Sequence, residues 1–278
     1  MLKKVLSIAG SDAGGGAGIQ ADIKTFEEYG LFGISSITSI LTVDPSTQSA
    51  DIYPIPRDIV EKQLATAFSG GALDAVKLGL LGSLTNIELI EDYIVRNSQH
   101  HLVLDPVMAV KTNDTVLQPE IVSSMIKKLI PLSDIITPNL VETKILANMP
   151  KIETKQQMMT AAENIFSLGP KIVVIKGGAR FPGYEALDLF FDGRSFEFLT
   201  GPKINSQTNH GAGCSFAAAI TAGIAKGLQP LDAVKLAKKY VTCAIEHGLY
   251  LNDFTGYVWH GAFQNAQQRM IGEINYEN

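Results

Sequence analysis

Short apolar runs alternate with longer amphipathic ones along most of this 278-residue chain, and each apolar run stops at glycine, proline or aspartate. Residues 4–9 (KVLSIA) end at Gly10, 74–78 (DAVKL) at Gly79, 102–104 (LVL) at Asp105-Pro106, 134–137 (DIIT) at Pro138-Asn139, and 171–176 (KIVVIK) at Gly177-Gly178. Residues 33–42 (GISSITSILT) are rich in β-branched residues and predict a further strand. Between these runs, Ile19, Ile23 and Phe26 fall at helical spacing, and helices are predicted near 86–95, 121–129 and 154–168. A strand apolar on both faces must be covered on both faces. With the alternation, that predicts an α/β fold: a doubly wound, mostly parallel sheet with helices on both sides. Residues 187–191 and 195–199, joined by Asp192-Gly193, read as a hairpin and add a small antiparallel edge or flap. Helices over 214–227 and 230–248 finish the core. No repeat or linker interrupts the pattern, so residues 1–278 read as a single domain.

Composition narrows the partners. The net charge is −5 (23 basic against 28 acidic side chains), which argues against nucleic acid as a partner. No stretch approaches 20 apolar residues, so no membrane span is expected, and the N-terminus lacks the long apolar core of a signal peptide. The expectation is a soluble cytoplasmic protein acting on a small molecule. Two cysteines, Cys214 and Cys243, do not make a secreted disulfide framework. Cys243 lies in an apolar helical run and reads as core. His100 and His101 fall in the predicted strand before Asp105, where neighbours face opposite sides, which argues against a shared metal ion.

In open parallel sheets, ligands bind beyond the carboxyl ends of the strands. Gly10-Ser11-Asp12, Lys77-Leu78-Gly79, Asp105-Pro106, Pro138-Asn139 and Lys176-Gly177-Gly178 all sit at such ends. Two glycine-rich loops offer phosphate cradles. The first, residues 10–18 (GSDAGGGAG), precedes a helix but spaces its glycines poorly for a dinucleotide fingerprint, although Asp44 stands near the place of a ribose-binding acid. A nicotinamide oxidoreductase is therefore the remote alternative. The second cradle is His210-Gly211-Ala212-Gly213-Cys214, ahead of a helix of small apolar residues. Free amides at 212–214 and the helix dipole would make an anion hole suited to a phosphoryl group in transit.

Five stretches occur in one order: residues 9–26 (AGSDAGGGAGIQADIKTF), Asp105-Pro106-Val107-Met108, 137–142 (TPNLVE), Lys176-Gly177-Gly178 and His210-Gly211-Ala212-Gly213-Cys214. Together they resemble the ribokinase superfamily, in the branch of the hydroxymethylpyrimidine and pyridoxal kinases, over essentially the whole chain. The resemblance implies an ATP- and Mg2+-dependent phosphorylation of a hydroxymethyl group on a nitrogen heterocycle, by a homodimer. Asn139 and Glu142 match the family's N-x-x-E motif, associated with magnesium and its waters; locally, they also form a plausible helix cap. Asp105 and Lys176 match residues that face the nucleotide phosphates, with Asp105 beside Glu142 at the metal and Gly178 and Gly213 beside the nucleotide. By the same analogy, the ring lies near Gly10, Asp12, Val43, Leu80 and Val107.

Most of the superfamily carries aspartate as the base at the position of Cys214. Cysteine there, with His210 ahead of it, resembles a bacterial subgroup. A thiol at a helix N-terminus is expected to ionise readily and act as general base, with His210 orienting it. Pyrimidine kinases of thiamin synthesis carry Ala-Gln-Asn-Thr after the second strand, where this chain has Thr42-Val43-Asp44-Pro45. Val43 cannot bond a ring amine, which favours a vitamin B6 pyridine over a pyrimidine. Related pyridoxal kinases carry a lid cysteine after Asp-Pro-Val-Met; residues Ala109-Val110-Lys111 hold none, which speaks against a strong preference for pyridoxal over pyridoxine and leaves open a covalent aldehyde step and a dual specificity for both rings.

Overall fold

The computed structural model describes residues 2–110, 115–116 and 119–264. Its first unit is β1 (Lys4–Asp12), α1 (Gly18–Glu28) and β2 (Phe32–Val43), followed by β3 (Ala50–Pro54) and α2 (Arg57–Ser69). Next come β4 (Ala75–Leu78), α3 (Leu84–Arg96) and β5 (Leu102–Leu104). A two-stranded flap, β6 (Ala109–Val110) and β7 (Thr115–Val116), leads to α4 (Pro119–Lys128) and a short 3-10 turn. Then follow β8 (Ile135–Ile136), α5 (Leu140–Ala147), α6 (Lys155–Phe166), β9 (Ile172–Gly178), β10 (Glu185–Phe191) and β11 (Phe196–Pro202). The chain closes with α7 (Ala212–Ala225), α8 (Pro230–Glu246), β12 (Leu249–Asn252) and β13 (Thr255–Tyr257).

Nine strands form one sheet in the order β11-β10-β9-β8-β5-β4-β1-β2-β3. The central neighbours β2, β1, β4, β5, β8 and β9 pair in parallel. Both edges are antiparallel: β9-β10-β11 on one side, as the hairpin pattern predicts, and β2-β3 on the other. The second antiparallel edge was not legible because β3 is mostly exposed and ends in a proline, so it lacks an apolar alternation.

Successive strand residues serve opposite faces. Leu6, Val76, Leu102, Leu104, Ile136, Val173 and Ile175 belong to a core shared with residues of α2, α3, α4 and α6. Val5, Ala75, Val103, Ile135 and Val174 belong to a second core, with Phe26 and Tyr29, the small residues of α7, and Tyr240 of α8. Helix α7 is buried nearly all round, from Ser215 to Ala225, and its alanines let it lie close to β1, β4 and β5. The position of its first turn is therefore fixed by packing on the sheet.

Two local expectations fail. His100 and His101 are exposed and precede β5; His101 has φ +59°, incompatible with a strand. Cys243 is only partly buried, with its sulfur 3.7 Å from His247 Nδ1 on the outer side of α8, so it is not core. Strand β1 also runs three residues past Ala9, to Asp12.

Candidate active site

Two cavities meet at the carboxyl ends of the parallel strands. The first, of about 180 Å³, is lined by Gly10, Asp12, Leu41, Val43, Leu80 and Val107, with Lys77, Asp105, Glu142, His210 and Cys214 at its charged end. The second, of about 290 Å³, lies between β9–β11 and α7–α8, lined by Gly177, Gly178, Ile204, Phe216, Lys238 and Val241 among others. Asn139, Lys176 and Gly213 line both. The residues singled out as substrate-side thus gather in one chamber, and Gly178 faces the other.

The two glycine loops are locked to each other. The Asp12 Oδ1 accepts from the Gly14 amide at 2.8 Å, and Oδ2 accepts from the amides of Gly16 (3.2 Å) and Ala17 (2.9 Å). His210 Nε2 lies 2.9 Å from the same Oδ2. Burial works against the Asp12 charge, but His210 and these amides outweigh it and hold the carboxyl below the usual range. Asp12 is therefore committed to the loops, although it lines the chamber. His210 is fixed on Asp12 rather than on Cys214, which corrects the expected pairing. The Tyr257 ring packs edge-on against His210 (5.0 Å between centroids) and fills the space over Gly14 and Gly16. Gly211, with φ +88°, seats directly on the Gly16 carbonyl: a Cβ there would lie 1.7 Å from that oxygen. Only glycine allows this approach.

Helix α7 begins at Ala212, whose amide donates to the Asn209 carbonyl at 3.2 Å and so is not free, contrary to expectation; the Gly213 and Cys214 amides lie too early in the helix for a partner within it, and Gly213 lines both cavities. Cys214 sits in that turn, partly buried. Contrary to the sequence expectation, burial pushes its thiol up; Lys77 and the Gly18 amide pull the other way, while Asp105 and Asp22 add to the rise.

Lys176, at the end of β9, holds Asp105 at 2.5 Å, and is no surface lysine. Burial disfavours its charge, yet Asp105 and then Glu142 keep the ammonium protonated. Asn139 and Glu142 form a full capping box on α5: Asn139 Oδ1 accepts from the Val141 and Glu142 amides, and Glu142 Oε2 accepts from the Asn139 amide at 2.8 Å. Capping does not exclude a second role, since both residues still line the chamber. Burial pushes the Glu142 carboxyl up to about 7; Lys176 opposes this and Asp105 reinforces it. Two carboxylates facing one ammonium leave a place where added positive charge is favourable. The described residues include no group of three or more metal-ligating side chains. Two carboxylates beside one ammonium are a donor set that a hard cation keeping most of its waters would fit.

Three placements were not foreseen. Lys77 lies inside an apolar strand, fully buried, with its ammonium 2.7 and 2.8 Å from the two oxygens of Asp22. The signal was a charge within the run Ala75-Val76-Lys77-Leu78 and an acid on the inner face of α1. Lys238 and Asp188 form a second part-buried pair (2.6 Å) in the wall of the other cavity, and Asp188 also accepts from the Gly178 amide. Asp44, the candidate ribose acid, is exposed and accepts from Ser46 and Thr47 in its own turn. Lys111, in the stretch read as lacking a lid thiol, lies outside the described residues.

A doubly wound sheet whose strand ends carry two cavities, joined at a lysine and a helix N-terminus, defines a small-molecule kinase with a ribokinase-like fold. The phosphomethylpyrimidine kinase family model matches residues 12–259, and the chain belongs to that family. It is 40% identical to the pyridoxine kinase of Bacillus subtilis over 268 residues, 96% of this chain and 99% of that one. It is also 40% identical to the hydroxymethylpyrimidine/phosphomethylpyrimidine kinase of Haemophilus influenzae, over 94% and 98% of the two chains. The structure of the Staphylococcus aureus pyridoxal kinase in complex with AMP-PCP and pyridoxal superposes with a TM-score of 0.89, at 43% identity, over 95% of each chain. No described helix is long and apolar enough to cross a membrane.

Proposed function

We propose that this chain is an ATP-dependent kinase that phosphorylates the hydroxymethyl group of a vitamin B6 vitamer. The observation that carries the reading is the shared wall of Asn139, Lys176 and Gly213 between an apolar-walled chamber and a second cavity. A ring held among Leu41, Val43, Leu80 and Val107 would present its hydroxymethyl arm to Cys214. The triphosphate of ATP would enter from the other side, with its terminal phosphoryl at the first turn of α7. Transfer forms a bond between the substrate oxygen and the γ-phosphorus and breaks the bond to the bridging oxygen of ADP. The Cys214 thiol first releases its own proton to solvent, against the opposition of its burial, and the thiolate then takes the proton of the substrate hydroxyl. Lys176 and the α7 amides stabilise the charge on the transferred group, a kind of contribution worth about 3–4 kcal/mol per donor in other enzymes. Mg2+, held through Glu142 and Asp105, would supply neutralising charge on the phosphate oxygens.

The chamber wall favours the pyridine ring. Val43 offers no hydrogen bond, and an unmet ring amine costs about 1–3 kcal/mol. The second reading, a hydroxymethylpyrimidine kinase, draws on the Haemophilus influenzae relative and the family model. We take residues 1–278 as one kinase unit that works as a homodimer in the cytoplasm. The deciding experiment compares kcat/KM for pyridoxal, pyridoxine and hydroxymethylpyrimidine with Mg-ATP. A clear preference for the pyridines supports the B6 reading, and a preference for the pyrimidine overturns it.

A further inference from the structure

Helix α7 starts without a side-chain cap. Its N-cap residue is Gly211, whereas Ser83, Asn139 and Thr154 cap α3, α5 and α6. A cap would take the amide of the second or third helical residue. In α7 these are Gly213 and Cys214, the amides that a transferred phosphoryl needs. The turn must therefore be held from another side. The Gly211 carbonyl accepts from the Ser215 amide at 2.9 Å and from the Ser215 hydroxyl at 2.8 Å. With its own proton committed there, the Ser215 oxygen can only accept from His260, whose Nε2 lies 3.0 Å away. The network thus assigns the ring N–H to Nε2. Burial, and then the Lys24 charge, push the imidazole down to about 4, so the ring is neutral at pH 7 and carries one N–H. Both residues are buried. His260 is in turn fixed on α8: its carbonyl accepts from the Tyr240 hydroxyl at 3.1 Å, and the Trp259 amide donates to the Ala244 carbonyl at 2.9 Å.

We propose that His260 is a positioning residue for the transfer step: acting through Ser215, it fixes the first turn of α7 and holds the Gly213 and Cys214 amides in place without taking either of them. The chain of bonds runs from α8 through His260 and Ser215 to the Gly211 carbonyl, and Gly211 is the residue seated on the Gly16 carbonyl. The start of α7 is thereby braced on one side by the glycine loop and on the other by the segment after β13. Stability does not require the pair. The rest of α7 packs through small, mostly apolar residues, and replacing both partners of a buried hydrogen bond by apolar groups is often nearly neutral. The inference rests on the kinase reading, in which the transferred phosphoryl meets this turn.

The test pairs steady-state kinetics with amide hydrogen exchange of the peptide spanning residues 210–218. The small substrate is whichever of pyridoxal, pyridoxine and hydroxymethylpyrimidine the wild type phosphorylates fastest with Mg-ATP. His260→Leu is expected to lower kcat about tenfold while KM for both substrates stays within about twofold, because the amides act on the group in transit. Exchange across 210–218 is expected to be faster. The double variant His260→Leu/Ser215→Ala leaves no buried polar group unpaired, so it guards against a failure to fold, and it is expected to be as slow as His260→Leu. His260→Gln places an amide N–H near Nε2 and is expected to recover kcat to within about threefold of wild type. A pair that served only the fold would leave kcat unchanged in the folded double variant. That result, or His260→Gln as slow as His260→Leu, overturns the proposal. If the wild type phosphorylates none of the three substrates, the kinase reading fails. Exchange then decides alone whether His260 braces the turn, and an unchanged rate in His260→Leu overturns it.

Discussion

Gly211 and Gly227 have nearly the same backbone, φ +88° and +87°, but different surroundings. A Cβ on Gly227 meets nothing within 4 Å, whereas one on Gly211 falls 1.7 Å from the Gly16 carbonyl oxygen. Alanine at either position carries the left-handed strain of about 1–2 kcal/mol. In a chain of this size that lowers Tm by roughly 2–4 °C per kcal/mol. Gly227→Ala should show that loss and no other. Gly211→Ala must also push the backbones at 211 and 16 apart, since ordinary contact begins near 3.4 Å and the gap is half of that. One of the glycine loops has to retreat by more than an ångström, displacing either the start of α7 or the 10–18 loop that lines the chamber. Misplacement of reacting groups by about 1 Å can cost 10²-fold in rate. Turnover of Gly211→Ala is therefore expected about 10²-fold below that of Gly227→Ala, measured as kcat with saturating Mg-ATP beside thermal melts of both. If both variants turn over alike, the contact between the loops does not position the transferred phosphoryl.

Three other outcomes are expected. Glu142 has a folded pKa of about 7, raised by burial above its ordinary 4.5. The folded state then binds the extra proton, so its contribution to stability is full below about 4.5 and is lost as pH rises towards 7, roughly 3 kcal/mol in all. Melts without divalent cation should show this decline between those limits, and Glu142→Gln, which keeps the cap, should flatten it; an unchanged slope would reject the assignment. Asp12→Asn leaves one acceptor for four partners and should lower stability by about 1–3 kcal/mol while raising KM for the small substrate, whereas a melt and KM equal to wild type would refute the loop lock. Val43→Gln should improve kcat/KM for hydroxymethylpyrimidine relative to pyridoxal about tenfold or more, and no change in that ratio would remove Val43 from the specificity argument.

The sheet and its layers were legible because the strands are apolar on both faces and end in glycine or proline, as at Ala75–Leu78 and Ile172–Gly178. The edge strand β3 was not, since one face of it stays wet. Helix α2 had a readable pattern in Val60, Leu64 and Ala67, all buried, but the polar residues between them masked it. At the site, strand-end position and motif order located Asp105, Asn139, Glu142, Lys176 and Cys214. What they could not give was the partner of each charge. The Asp12–His210 contact joins residues 198 apart, and Asp22–Lys77 joins residues 55 apart. Such pairings depend on which helix lies on which strand, a property of the packed sheet that no local spacing carries. The thiol illustrates the same gap: its place at a helix start was readable, but the burial opposing its ionisation was not.

The two cavities divide the chain unequally. No residue lining the second cavity precedes Asn139, while the apolar wall of the first comes from Ala9 to Val107. The apolar wall of the first cavity and the lining of the second thus come from separate stretches of sequence, while the charged end of the first interleaves with the second between Asn139 and Cys214. Substitutions confined to that apolar wall change no residue that lines the second cavity. A lineage built this way can change which vitamin precursor it accepts by drift in its front half, while its transfer chemistry stays inherited. The coexistence of pyridine and pyrimidine kinases among relatives equally similar to this chain is what such a partition would produce.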